Sequence, residues 1–329
     1  MLAVNVPRGA ALERINFDTA ARFDEGKFDD TAVWLDLYSP TAAENRLVER
    51  ALRISLPTRE EMQEIEPTSR LYVEDGARYM TATLMCNSDT GTPRTTAVTF
   101  ILTGHRLVTV RYDEPKPFTI VAAKLARACP GNVTGETVLM DLLDAIIDRS
   151  ADILERIGSD VDGISHTILE SEGPLSRGKD FKEILRSIGR RGDHTSKVRE
   201  SLVSIGRLLL YLAAEADTMK WAKDQRATIK GMQRDVQSLA EHASYLAQKI
   251  SFLLDAMLGV VSLEQNNIIK IFSVAAVVFM PPTLIASVEG MNFKHMPELD
   301  FEYGYPAVLM AMVLAAVLPY YFFRWMKWL

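Results

Sequence analysis

The sequence predicts an α+β membrane protein: an α/β soluble part, long helices after it, and two membrane-spanning helices near the C-terminal end. Three observations carry that reading. Ile271–Val288 and Tyr305–Phe323 are uncharged apolar runs, each about the length that crosses a bilayer's hydrocarbon core as a helix. Ile229, Met232, Val236, Leu239, Ala243, Leu246, Ile250, Leu253, Met257 and Val260 recur in steps of three and four, which is a heptad stripe. Before residue 130, β-prone stretches alternate with helical ones and with turn signals.

Charge divides the chain the same way. Residues 1 to 270 are rich in charge and the last 59 are mostly apolar. The formal net charge of −6 argues against a nucleic-acid partner, which calls for a basic face. An acidic soluble part suits cations better. Cys86 and Cys129 are far apart and form no CxxC pair, so they read as free thiols in a reducing compartment. The first residues, MLAVNVPRGAALERINFD, lack the pattern of a signal peptide, and the soluble part is expected in the cytoplasm.

In order along the chain, Thr31–Tyr38 reads as a strand. Thr41 with Glu44 three residues on is a capping box that starts a helix. Arg70–Met85 folds back at Asp75-Gly76, and Thr95–Tyr112 at Thr103-Gly104-His105, so both read as hairpins. Phosphate loops and the GxSxG elbow are absent from this part, which is taken as a cytoplasmic α/β domain over 1–130. Residues 131–217 turn helical, with Val138, Leu142, Ile146, Ile153, Ile157 and Val161 mostly on one face. Gly173-Pro174 breaks this stretch, and a second helix runs from about Phe181 to Ala214. One continuous helix is expected over 218–288, roughly 105 Å long at about 1.5 Å per residue. The heptad stripe implies partners without fixing their number; a soluble coiled coil ahead of a membrane anchor is the other reading.

The flanks orient the spans. Lys270 precedes the first run, and Arg324 and Lys327 follow the second, in a basic tail over 324–329. The loop over 289–304 holds Lys294 but also Glu289, Glu298, Asp300 and Glu302. Basic flanks belong inside, so both termini are expected in the cytoplasm and the acidic loop outside. Tyr320, Tyr321, Trp325 and Trp328 suit an interfacial belt. Two helices cannot enclose an aqueous path, so a channel here requires an oligomer around an axis. The first span offers a stripe for that axis: Ile269, Ser273, Ala276, Met280, Thr283 and Ser287, mostly small or mildly polar. Small residues also serve close helix packing, so the stripe alone leaves both readings open. Membrane helices tolerate kinks such as Pro281-Pro282.

Neither run contains Asp, Glu, His or Cys, so tight transition-metal ligands and a proton-relay carboxylate are missing from the path. Mg2+ sheds its waters reluctantly, and hydroxyls, carbonyls and amides can pass it with its first shell largely intact. The membrane potential supplies about 4.6 kcal/mol for a divalent ion at about 100 mV, so neither an ATP site nor an organic cofactor is needed.

At the end of the first span lies Gly290-Met291-Asn292, followed by Met296-Pro297-Glu298-Leu299. With the terminal hairpin, this pairing resembles the CorA family of divalent-cation channels, over the C-terminal third from about Arg234. The resemblance implies a homopentamer with a cytoplasmic α/β funnel, stalk helices and two membrane helices per subunit, in the bacterial inner membrane. It implies Mg2+ uptake, with Co2+ and Ni2+ as further ions, and gating by intracellular Mg2+. Carried over residue by residue, it makes Asn292 a ring that hydrogen-bonds hydrated Mg2+, with Gly290 giving the turn and Met291 packing behind. Asn266 matches an asparagine near the cytoplasmic end of the pore, Ile269 and Phe272 the constriction, and Met280 and Thr283 the lining.

Two positions depart from the family. Glu289 stands where Tyr is usual, and with Glu298 it would concentrate cations at the mouth. Phe272 stands where an aliphatic residue is common. The regulatory carboxylates are not assigned; Asp235 and Asp255 are acidic candidates, with a solvated helix face as the alternative. A ZntB-type zinc transporter, with proton coupling as one option, is the competing function, and the retained Met291 favours magnesium. A membrane-anchored enzyme is the third. His105, His166, His194 and His242 have no ligand or triad spacing, and His295 lies in the outer loop, so the chain is read as no enzyme.

Overall fold

The computed structural model describes residues 1–9, 11–17, 31–89, 92–127, 133–169, 178–291 and 303–326. The chain divides into two compact units, Met1–Leu253 and Leu254–Leu329. The first is built on a seven-stranded sheet. Its strands are β1 (Leu2–Arg8), β2 (Ala11–Phe17), β3 (Trp34–Tyr38), β4 (Leu71–Glu74), β5 (Ala77–Cys86), β6 (Arg94–Thr103) and β7 (Arg106–Arg111), in the spatial order β2-β1-β3-β7-β6-β5-β4. Only β3 and β7 pair in parallel; the remaining neighbours are antiparallel.

Local chemistry explains several boundaries. Helix α1 (Ala42–Leu52) starts where the Thr41 hydroxyl accepts from the Glu44 amide at 3.3 Å and Glu44 accepts from the Thr41 amide at 2.7 Å. It stops at Arg53, whose φ of 56° is left-handed. Thr58 and Glu61 repeat the box on the short α2 (Arg59–Met62). Asp75 and Gly76 both take positive φ, as a two-residue hairpin with the sheet's twist requires. The hairpin of β1 and β2 was not foreseen. Its turn uses Gly9 at φ 66°, and β1 is buried on both faces from Leu2 to Val6, which hides the usual alternation.

One face of the sheet packs Leu35, Leu37, Val108 and Val110 against Val48, Leu56 and Met62. On the other, Trp34 and Phe100 meet Phe118 of α4 (Lys116–Arg127), with ring centroids 6.4 and 6.1 Å apart. The parallel pair carries a buried charge. Arg111 donates to both Asp36 oxygens at 3.0 and 2.9 Å, and Thr109 adds a third bond at 2.9 Å. The guanidinium lies over the rings of Tyr38 and Phe118. Removing one partner of such a pair costs about 3–5 kcal/mol, because the other charge is stranded.

Three long helices follow the short α3 (Pro67–Arg70) and α4: α5 (Gly135–Leu169), α6 (Gly178–Thr218) and α7 (Lys223–Glu289). The expected break at Gly173-Pro174 lies outside the described residues. Helix α7 begins at Lys223 rather than at 218. Gly135 opens α5 by donating to the His105 carbonyl at 2.7 Å, so close to the β6–β7 turn that a Cβ there would stand 2.4 Å from main-chain atoms of Arg106 and Leu107.

The heptad stripe corrects an expectation. Ile229, Met232, Val236, Ala243, Leu246, Ile250 and Leu253 are buried within a single chain. Gly206 and Gly192 of α6 leave room for Val236 and Ile250; a Cβ at either would approach to 3.4 and 3.6 Å. Gly158 of α5 does the same for Leu246 at 3.9 Å. The Gln233 amide also donates to the Leu209 carbonyl at 3.1 Å. Up to Leu253 the chain itself therefore covers the stripe, apart from Leu239, which is half-buried. Periodicity sets how wide an apolar face is, not what covers it. Cys86 is a buried free thiol, and Cys129 lies outside the described residues.

Candidate functional site

The second unit holds the remainder of α7 and α8 (Gly304–Trp325). Among the described residues these are the two helices long and apolar enough to cross a membrane. Covered positions on this stretch of α7 form one stripe: Val274 is buried, and Ala275, Val278, Pro281, Pro282 and Ile285 are half-buried. On α8 the half-buried positions include Val308, Met312, Ala315, Ala316 and Pro319, while Leu309, Met310, Val313, Leu314 and Leu318 are exposed.

Every described residue expected on the path is exposed, apart from Glu289, which is half-buried. Asn266, Ile269, Phe272, Ser273, Ala276, Met280, Thr283 and Ser287 all face away from the covered stripe. With 3.6 residues per turn, the two stripes lie about half a turn apart. The covered face is legible in the sequence as Val274, Val278 and Ile285 at helical spacing, opposite the small-residue face.

The helix backbone is adjusted along this stretch. The Thr283 hydroxyl donates to the Phe279 carbonyl at 2.7 Å, and Ser287 to Thr283 at 2.8 Å. Pro281 and Pro282 sit inside the helix and remove the N–H groups that the Val277 and Val278 carbonyls would otherwise accept from. Past Glu289, Gly290 donates to Ala286 at 3.0 Å and Met291 to Val288 at 3.2 Å. A Cβ on Gly290 would come within 3.1 Å of the Ala286 oxygen, so a residue without one suits this exit. Met291 is exposed. Asn292, Lys294, His295, Glu298, Asp300, Glu302, Lys327 and Trp328 lie outside the described residues. Tyr320, Tyr321 and Trp325 are exposed at the end of α8, the first two edge to face at 5.8 Å.

The acidic candidates on α7, Asp235 and Asp255, are exposed. Asp144 of α5 has its pKa raised by burial and then by Asp148, with Asp141 and Asp235 adding repulsion. Among the described residues no three His, Cys, Asp or Glu side chains are placed to hold a metal. The histidines stay apart: His105 in the β6–β7 turn, His166 on α5, His194 on α6 and His242 on α7. Burial and Arg191 push the His194 pKa down, and His242 stacks on Tyr245.

Comparison with known proteins decides the family. A family model described as CorA-like Mg2+ transporter protein matches residues 29–325. The chain belongs to that family. The magnesium transport protein CorA of Pasteurella multocida is 34% identical over 320 residues, 97% of each chain. The CorA of Escherichia coli K12 is 35% identical over 298 residues, 91% of this chain and 92% of that one. In fold, the chain is similar to the complete CorA magnesium transporter of Methanocaldococcus jannaschii, with a TM-score of 0.75, 17% identity, and coverage of 100% and 99%. The cytoplasmic domain of ZntB from Vibrio parahaemolyticus is a more distant likeness, with a TM-score of 0.56 at 8% identity, over 78% of this chain and 96% of that domain. The family match fits the fold class expected from the sequence in its coarser form, an α/β part, a long helix and two C-terminal apolar helices.

Proposed function

We propose that the chain is a Mg2+ channel, assembled as a homopentamer in the bacterial inner membrane and driven by the membrane potential. The observation that carries the reading is the exposed stripe of α7, opposite the helix's covered face and leading directly into Gly290-Met291-Asn292. Around a five-fold axis that stripe lines the path, from Asn266 through Ile269 and Phe272 to Ser287, and α8 faces lipid. Asn292 binds hydrated Mg2+ at the filter, between Gly290, Met291 and the cation-attracting Glu289 and Glu298. The sheet unit and both termini lie in the cytoplasm, where Mg2+ closes the pore; Co2+ and Ni2+ share the path. Curated relatives named as magnesium transport proteins support the ion. The zinc reading draws only on a likeness of fold.

Uptake into proteoliposomes separates the two. With a negative interior, Mg2+ enters through the wild-type protein and entry collapses in Asn292→Ala. Zn2+ entry that requires a pH gradient, with little Mg2+ flux, would replace this reading with the zinc one.

A further inference from the structure

We infer that the first unit carries a binding site for a soluble polyphosphate or phosphate monoester, in the cleft where Ser88 and Asp89, after β5, meet α5 and α6. The cavity encloses about 330 Å³. Its walls bring Arg156 of α5 together with Arg190, Arg191 and His194 of α6. This site takes no part in the cation path, and its existence does not depend on the transport reading.

Among the described residues, cationic donors at this cleft exceed their carboxylate partners. Asp89 is already neutralised by Lys116 and Arg156 at 2.8 Å and by Arg149. Asp160 is engaged by Arg191 at 3.1 Å. Arg190 has no carboxylate partner among the described residues. The Nε of Arg191 is buried and donates to no acceptor. Ser88 accepts from Arg149 at 2.8 Å, which leaves its hydroxyl hydrogen to donate. Burial and Arg191 hold the His194 imidazole toward its neutral form, a donor without charge.

Shape narrows the ligand class. The free donors come from two separate stretches of chain, the turn after β5 and α6, so a planar carboxylate or a single halide reaches only part of them. Tetrahedral phosphate oxygens can meet an Arg190 fork and the Ser88 hydroxyl, and take the Arg191 Nε once that side chain turns into the cleft. Occupation would tie the turn after β5 to α6 through the anion.

The test is calorimetric titration of the full-length protein in detergent with sodium tripolyphosphate, free of divalent cations, so that no flux is read. Saturable binding is expected, weakened about tenfold or more in Arg190→Gln, the loss of a charge-assisted bond. Arg191→Lys, which keeps the charge beside Asp160 but loses the Nε donor, is expected to weaken binding too, with thermal melting unchanged. The assignment is overturned by the absence of saturable heat, or by binding that both variants leave unaltered. Equal displacement by chloride or succinate at matched ionic strength also overturns it, as does tighter binding of glycerophosphoglycerol, a lipid-headgroup diester.

Discussion

Asp89 shows how one side chain sets a pH dependence. Hydrogen bonds from Lys116, Arg156 and Arg149 hold its carboxyl far below the usual carboxylate range. A depressed folded-state pKa contributes stability above the unfolded value of about 3.9, and this is lost as pH falls below it. Asp89→Asn is therefore expected to melt below wild type at neutral pH, with the gap closing below about pH 4. A gap that persists in acid would mean the residue acts through packing instead. Glu289 makes the second single-residue case. As the last residue of α7, it places a carboxylate at the proposed mouth. Glu289→Tyr is expected to raise the half-saturating Mg2+ concentration by about tenfold at low salt, with the difference shrinking at high salt. Uptake at graded ionic strength measures it, and a shift independent of salt would exclude long-range attraction.

At the scale of elements, glycines set how closely helices approach. Gly135→Ala drives a Cβ into main chain that cannot step aside, so a large fall in melting temperature is expected. Gly206→Ala meets only a Val236 methyl at 3.4 Å and should be near neutral. Gly206→Leu overfills the α6–α7 contact and should cost about 1–3 kcal/mol. Thermal melts of the three rank them, and a Gly206→Leu protein as stable as wild type would show that the two helices do not press together there. These contacts also mark the limit of what the chain reveals before folding. The Thr41–Glu44 box and the Asp75-Gly76 turn are local, and both were legible. The β1 strand was not, because burial on both faces removes its alternation and Arg8-Gly9 is a weak turn signal. The parallel pairing of β3 with β7 and the cover over the heptad stripe depend on chain far away. In the candidate site, the small-residue stripe and the Gly290-Met291-Asn292 tripeptide are short patterns on one segment, so they could be read. The phosphate cleft joins residues near 88, 156 and 190, a grouping only the tertiary fold creates.

For the whole molecule, the proposed orientation predicts labelling. With the native cysteines replaced, a cysteine at Tyr303 should react with an impermeant maleimide from outside intact cells, and one at Met326 only after lysis. The reverse pattern would invert the topology. Along the helix between those two worlds, Thr283 and Ser287 have committed their hydroxyl hydrogens to carbonyls of the preceding turn. What each oxygen still offers outward is lone pairs. The water coat of a cation turns its hydrogens outward, whereas that of an anion turns lone pairs outward. On the proposed path these acceptors would greet the first coat and rebuff the second, and so sort ions by sign without a fixed charge in the membrane.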